Sequence, residues 1–212
     1  MELAEIFYGM SVTGIADPDH IQTNAKAQVG DVLILTKPLG TAVYSDAHSK
    51  GELPAEGESE FIASMERLNM YASRVLSRHQ VGALTDVTGF GLLGHALPIA
   101  RNAGVTVRID ASAVPLFAGA LALHEQHVSL QAWKAEQYVG PWLREEGKVP
   151  PLLMKLLMEP QTSGGLLAAV RAVEAGQIVR ELREAGDLRA SVIGEVEELC
   201  RADGEVKYLK VQ

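Results

Sequence analysis

The spacing of apolar residues along the chain predicts both strands and helices. Between residues 8 and 13, Tyr, Met and Val alternate with Gly, Ser and Thr, which predicts a half-buried strand. Residues 32–35 are all apolar, a pattern typical of a central strand that is buried on both faces. From about residue 58 to 79, apolar side chains recur at helical spacing and predict one amphipathic helix that covers a sheet.

The second half of the chain continues this pattern of short strands and helices. The predicted elements are strands at residues 105–109, 166–170, 191–196 and 205–211, and helices at residues 116–126 and from Ala175 to near Gly186. Because the helices are grouped between strands and the last strands resemble a hairpin, the predicted fold class is α+β. We expect a mixed or antiparallel sheet covered by helices.

Residues 84–95 carry the most specific candidate chemistry. Asp86 stands at the end of a predicted strand, and Thr88, Gly89 and Gly91 precede an apolar helical stripe, so Thr88 is predicted to cap that helix. Free N–H groups at a helix start favour an anion, and a carboxylate beside a phosphate needs a divalent cation between them. We therefore predict that Asp86 is a Mg²⁺ ligand and that Thr88, Gly89 and Gly91 lie near a phosphate. The alternative is an ordinary turn-capping Asp.

Residues 85–95 resemble a signature of the selenophosphate synthetases (selenide, water dikinases), and residues 8–14, 30–40 and 159–167 resemble further segments in the family's order. The resemblance implies an AIR-synthase-type C-terminal domain and an enzyme that converts ATP, selenide and water to selenophosphate, AMP and phosphate with Mg²⁺. It places no catalytic residue in this chain. Family members commonly carry a Pro-Gly-Gly-Thr segment followed closely by Asn, whereas residues 126–150 depart from that pattern, so substrate handling can differ.

The resemblance also implies a protein of about two domains, of which this chain matches the end of the first and the whole of the second. A reactive Cys or selenocysteine with its Lys, further Asp ligands and a Gly-Gly-His-Ser/Thr element are expected in an N-terminal half outside this sequence. Residues 1–16 are interpreted as a remnant arm or strand of that half, and residues 17–212 as the AIR-synthase-like C-terminal domain. We expect the isolated chain to be inactive, to need that half as a partner, and to form homo-oligomers through exposed apolar surface and strand edges.

Composition excludes several classes of function. The chain has 212 residues, 47% of them hydrophobic, and a formal net charge of −8. These values are typical of a soluble globular protein and argue against binding to nucleic acid or an anionic membrane. No run approaches the ~20 apolar residues of a membrane span, and the first residues lack an export-signal pattern. The single cysteine, Cys200, agrees with a reducing compartment, and we expect a cytoplasmic location.

The remaining candidate groups have ordinary structural explanations. Cys200 lies in an acidic stretch that disfavours a reactive thiolate. The six histidines, including His124 and His127, show no zinc-ligand pattern, and His95 is expected to pack or hydrogen-bond. The turn at residues 160–165 either approaches a ligand or is a tight connection whose glycines adopt positive φ. Two alternative functions remain open: another ATP-using enzyme of the same superfamily, acting on purine-pathway amidines or thiamine monophosphate, and a noncatalytic binding or interaction fragment.

Overall fold

A computed structural model describes residues 9, 11–18, 21–127, 132–202 and 204–212 of the protein. Their strands are β1 (Asp31–Leu35), β2 (Val81–Asp86), β3 (Thr106–Ile109), β4 (Leu143–Glu145), β5 (Leu166–Arg171), β6 (Ser191–Glu197), β7 (Cys200–Ala202), β8 (Glu205–Lys207) and β9 (Leu209–Val211). Their helices are α1 (Thr41–Ser49), α2 (Ala55–Glu66), α3 (Met70–Leu76), α4 (Gly91–Ala103), α5 (Ala120–His124), α6 (Ala132–Val139), α7 (Pro151–Leu156) and α8 (Ala172–Glu184). Within these residues, no helix is long and apolar enough to cross a bilayer.

One mixed sheet organises the fold, with the strand order β2-β5-β1-β6-β3-β9-β4. The pairs β2–β5, β5–β1, β1–β6 and β6–β3 are antiparallel, whereas β9 runs parallel to β3 and β4. Helices pack on both faces of β1 and β5: Leu33 and Leu167 face a large core with α4, while Ile34 and Ala168 face a smaller core with α3 and α8. Burial on both faces explains the continuous apolar runs in these two strands. The predicted α+β class with a mixed sheet is confirmed.

The three strands at the start of the sheet order, β2, β5 and β1, bring distant parts of the sequence together. Because β5 lies between β1 and β2 and runs opposite to both, its first residues lie beside their last residues. Leu166 pairs with Asp86 of β2, and Leu167 pairs with Leu35 of β1. The end of β1, the end of β2 and the turn before β5 therefore meet at one end of the sheet, where the strands stop.

The single helix predicted for residues 58–79 is wrong, because the chain forms two helices, α2 and α3, with a break at Arg67. The backbone of Arg67 is extended, with φ −68° and ψ 118°. Its carbonyl oxygen accepts a hydrogen bond from Lys37 Nζ at 2.7 Å, and its guanidinium lies 2.6 Å from a carboxylate oxygen of Asp187. These long-range bonds hold the backbone outside the helical region, although the local apolar spacing favours one helix.

Four further local predictions differ from the structure. The strand predicted at 205–211 is divided into β8 and β9, which belong to different sheets. In the predicted strand 8–13, the described residues are Gly9 and residues 11–13. They are exposed and form no strand, since no described strand lies beside them to pair with. Tyr8 and Met10 lie outside the described residues. The helix predicted at 116–126 is limited to α5, and Thr88 does not cap α4, whose N-cap is Phe90. Helices α1, α6 and α7 were not predicted; they have 9, 8 and 6 residues, which is too short for helical spacing to be recognised.

An extended segment before β1 covers the outer edge of β2. The backbone N–H of Lys26 donates to the carbonyl of Gly82 at 3.1 Å, and the N–H of Leu84 donates to the carbonyl of Thr23 at 2.9 Å. Residues 23–26, which we call the edge strap, thus satisfy polar groups that an edge strand would otherwise leave unpaired.

Candidate functional site

Asp86 is exposed at the point where the three segments meet. It is the last residue of β2, and its carboxylate accepts no hydrogen bond from the other described residues. Such a carboxylate is free to bind a ligand, whereas a turn-capping Asp would accept a bond from a nearby backbone N–H. The ordinary capping role is therefore not observed for Asp86.

The two glycines of the turn before β5 allow the three segments to pack backbone against backbone. A Cβ atom on Gly164 would overlap the carbonyl oxygen of Val87, and one on Gly165 would lie 2.6 Å from the backbone nitrogen of Lys37. Neither glycine has positive φ, so the explanation by positive φ is wrong. The residue with positive φ in this turn is Ser163, at 51°.

Gln161, which is nearly fully buried, connects the turn before β5 to the Asp86 segment and to the start of α1. Its Oε1 accepts hydrogen bonds from the backbone N–H groups of Gly40 and Thr41 at 3.0 and 3.2 Å, which satisfies donors at the start of α1. Its own backbone N–H donates to the carbonyl of Thr88 at 3.0 Å. The Asp86 segment, the start of α1 and the turn before β5 are thus held in one fixed arrangement.

Lys37 fixes the same arrangement through a buried ammonium group that is 4% exposed. Its Nζ donates to the carbonyl oxygens of Ser64, Arg67 and Ser163 at 3.0, 2.7 and 2.9 Å, so all three N–H donors are used. Burial lowers the pKa of Lys37; Asp187 partly opposes that change and Arg67 adds to it. With its donors occupied by the protein, Lys37 acts as a structural clamp.

His95 is the fifth residue of α4 and faces Thr88, with His95 Nε2 and Thr88 Oγ1 3.1 Å apart. The expectation that this histidine hydrogen-bonds locally is confirmed. Burial lowers the pKa of His95, although the negative charge of Asp86 opposes the shift. The side chain is therefore a neutral neighbour of Asp86 at neutral pH.

The lowered pKa of His95 predicts a specific acid sensitivity. Below the ordinary pKa of about 6.5 the unfolded chain takes up a proton that the folded chain resists, so the free energy of unfolding falls as pH drops. We expect an NMR titration to give His95 a midpoint below 6.5. In urea unfolding, His95→Gln should lose less stability than the wild type between about pH 7 and pH 5. A midpoint at or above the ordinary value would contradict this prediction.

The start of α4 has fewer free N–H groups than its sequence suggests. The N–H of Gly91 donates to Thr88 at 3.0 Å, and that of Leu93 donates to Leu157 at 3.2 Å. Gly91 has φ +65°, and a Cβ there would lie 2.5 Å from the carbonyl carbon of Met158, so close packing explains this glycine. Gly89 is exposed, with open space around its Cα. The placement of a phosphate near Thr88, Gly89 and Gly91 stays a prediction.

The region that departs from the resembling family lies at the rim of this site. Tyr138 of α6 packs on Phe90, with ring centroids 5.4 Å apart, and both rings are more than a third exposed. Phe90 immediately precedes α4 and follows Gly89. The altered segment therefore contacts the residue before α4, and the expected change in substrate handling stays a prediction.

A buried histidine–carboxylate pair behind the turn escaped the sequence analysis. His124 Nε2 and Glu159 Oε1 are 2.9 Å apart, and both side chains are completely buried. Glu159 precedes the turn, and its carbonyl accepts a bond from Gln161 Nε2 at 2.9 Å. The only available signal in the sequence was the charged Glu159 next to an apolar helix end. This signal does not identify His124, 35 positions away, as its partner. His127 lies 2.8 Å from Asp46, so the two histidines bind different carboxylates.

The described residues contain no group of three or more His, Cys, Asp or Glu side chains that could hold a metal ion. Asp86 alone fits as one ligand of Mg²⁺, since this ion is often held by one or two carboxylates together with phosphate and water. Cys200 lies on β7, in the separate two-stranded hairpin, with Arg144 as its neighbour at 3.7 Å. It is not part of the Asp86 site.

Comparison with known proteins places this arrangement in a family. Residues 28–207 match the family model for the AIR synthase related protein, C-terminal domain. The chain is 39% identical over 200 residues to selenide, water dikinase of Burkholderia ambifaria (strain MC40-6), and the match covers 92% of this chain and 56% of that protein. Other relatives with the same name are 35 to 40% identical. The chain thus spans little more than half the length of these relatives.

Solved structures agree on the fold. Thiamine-monophosphate kinase from Stenotrophomonas maltophilia K279a superposes with a TM-score of 0.62 at 17% identity, covering 91% of this chain and 53% of that one. Hydrogenase maturation protein HypE, in a complex with ATP, gives a TM-score of 0.55 at 16% identity, covering 84% and 45%. Because the family model covers most of the chain, this protein belongs to the AIR synthase related proteins and carries their C-terminal domain.

Proposed function

We propose that the chain provides the C-terminal domain of a selenide, water dikinase, which converts ATP, selenide and water to selenophosphate, AMP and phosphate. The observation that carries this proposal is the exposed carboxylate of Asp86, which accepts no hydrogen bond from the described residues, at the meeting point of three segments. The identity of 39% with a protein of that name supports the choice within the family. Selenide is accordingly the proposed substrate.

Phosphoryl transfer depends mainly on positioning and charge neutralisation, so the domain's task is to hold the phosphates in place. Mg²⁺ bound by Asp86 would neutralise phosphate charge. Gln161 links the turn before β5 to the segment after β2, and Lys37 links the same turn to the end of β1, which limits reorganisation during the reaction. Thr88, Gly89 and Gly91 remain the proposed phosphate neighbours. No residue of this chain is proposed to react covalently.

ATP use is also supported by the structurally similar HypE, which was solved with ATP. Another ATP-using enzyme of the superfamily is the second candidate, favoured by the similarity in fold to thiamine-monophosphate kinase. The 39% identity to a selenide, water dikinase, against 17% to that kinase, favours the first candidate. A cytoplasmic location, homo-oligomers and cooperation with an N-terminal half are further parts of the proposal.

Phosphorus NMR with ATP, Mg²⁺ and selenide tests the function. We expect no selenophosphate from the 212-residue chain alone, because one carboxylate cannot hold all the metal ions that the reaction requires. A chimera of the Burkholderia ambifaria protein, in which this chain replaces the matched region, is expected to form selenophosphate.

Three outcomes would contradict parts of this proposal. Sustained selenophosphate formation by the chain alone would refute the need for an N-terminal half. A folded chimera that consumes ATP without forming selenophosphate would favour another enzyme of the superfamily. A folded chimera that does not consume ATP would favour a noncatalytic module. The unmodified Burkholderia protein serves as the positive control.

A further inference from the structure

The turn before β5 exposes two hydroxyl side chains in a conformation that the backbone does not favour. Thr162 and Ser163 are both exposed. Ser163 has φ 51°, and among the described residues it is the one non-glycine residue with positive φ. Such a conformation is unfavourable for residues with a Cβ atom and persists when the surrounding structure enforces it.

The surrounding structure enforces this turn through three hydrogen bonds to its backbone. Lys37 Nζ donates to the carbonyl of Ser163 at 2.9 Å, and Asn69 Nδ2 donates to the carbonyl of Gly164 at 2.9 Å. The N–H of Thr162 donates to Thr41 Oγ1 at 2.7 Å. All three bonds hold the main chain from the protein side. Neither the Thr162 nor the Ser163 hydroxyl bonds to another described residue.

The same turn lies directly beside the Asp86 segment. The N–H of Gln161 donates to the carbonyl of Thr88 at 3.0 Å, and the N–H of Val87 donates to the carbonyl of Gly165 at 2.9 Å. Two hydroxyl groups and one carboxylate, none of them bonded to another described residue, therefore lie at the same end of the sheet. Hydroxyl groups donate readily to phosphate oxygens, while the nearby ammonium of Lys37 has no donor left for an anion.

We propose that the hydroxyl groups of Thr162 and Ser163 bind phosphate oxygens of the polyphosphate ligand that occupies the Asp86 site. This inference rests on the proposed function, and it assigns a binding role to a turn for which the resemblance supplied none. The three hydrogen bonds to the turn hold the backbone of Thr162 and Ser163 in place before the ligand arrives, which reduces the ordering required on binding.

Titration of the isotope-labelled 212-residue chain with magnesium tripolyphosphate, MgATP and adenosine tests the proposal by amide NMR. Tripolyphosphate and MgATP are expected to shift the amide signals of residues 162–164, and adenosine is not. Thr162→Val and Ser163→Gly should each weaken tripolyphosphate binding by roughly tenfold, since each removes one hydrogen bond to a charged group. Glycine accepts positive φ, so Ser163→Gly removes the hydroxyl without adding strain.

Two controls separate hydroxyl loss from general damage. Thr162→Ser keeps the hydroxyl and should retain wild-type affinity, and Ser73→Ala on α3 should have no effect. Unchanged affinity in Thr162→Val and Ser163→Gly, shifts confined to residues 86–91, or no shifts with any phosphate would each overturn the proposal. A chimera that fails to make selenophosphate while these shifts persist would refute the proposed function and leave the turn's phosphate-binding role intact.

Discussion

Asp86→Asn is expected to lower selenophosphate formation by the active chimera about a hundredfold or more, while the protein remains folded. Asparagine keeps the size of the side chain but removes the charge that holds a divalent ion. Because Asp86 is exposed and bonds to no described residue through its carboxylate, its replacement leaves no buried group unpaired. The rate should be measured by phosphorus NMR over a range of Mg²⁺ concentrations, together with a melting curve.

A matched loss of charge elsewhere controls for net-charge effects. Glu184 is exposed at the end of α8, outside the three segments of the site, and Glu184→Gln should leave rate and Mg²⁺ dependence unchanged. If Asp86→Asn retained near-normal turnover with unchanged Mg²⁺ dependence, the ligand role would be refuted. A lowered melting temperature with normal turnover would instead assign Asp86 a purely structural role.

Gly164→Ala is expected to destabilise the domain by about 3 kcal/mol, the upper end of the usual cost of overpacking. Its Cβ would overlap the carbonyl oxygen of Val87, which is backbone and cannot rotate away as a side chain could. Relief would require β2 and the turn before β5 to separate, and the bonds from the Gln161 N–H to Thr88 and from the Val87 N–H to Gly165 oppose that movement. Urea unfolding should show a lower midpoint with an unchanged slope.

Gly89→Ala is the matched control, since a Cβ at Gly89 meets no atom within 4 Å and Gly89 does not have positive φ. Its stability should stay within about 1 kcal/mol of the wild type. Equal unfolding midpoints for Gly164→Ala and Gly89→Ala would show that the three segments are not packed backbone to backbone.

Elements whose stability depends on their own apolar pattern were predictable from the sequence. Strand β1, strand β5 and helix α8 show uninterrupted apolar runs or regular helical spacing, and the structure confirms them. The break at Arg67 was not predictable, because its cause is a bond from Lys37 and an ion pair with Asp187, 120 positions away. Tertiary contacts of that kind override local propensity and leave no periodic signal.

The residues of the candidate site likewise divide into those that the sequence predicts and those that it does not. Its exposed Asp86 and glycine-containing turn stand out in the sequence, because few residue types suit a strand end beside a ligand or a close backbone approach. The residues that hold them together do not stand out. Gln161 and Lys37 act on segments between 27 and 126 positions away, and His124 finds its carboxylate only in the folded core.

The edge strap extends the structural domain toward the N-terminus. The family model begins at residue 28, yet residues 23–26 form the outermost hydrogen-bonded layer of the sheet beside β2. A protein trimmed to the family boundary would leave β2 open to pairing with the sheet of another molecule, and β2 is the strand that ends in Asp86. Fusion partners, linkers and domain swaps are therefore better joined before residue 21 than at residue 28.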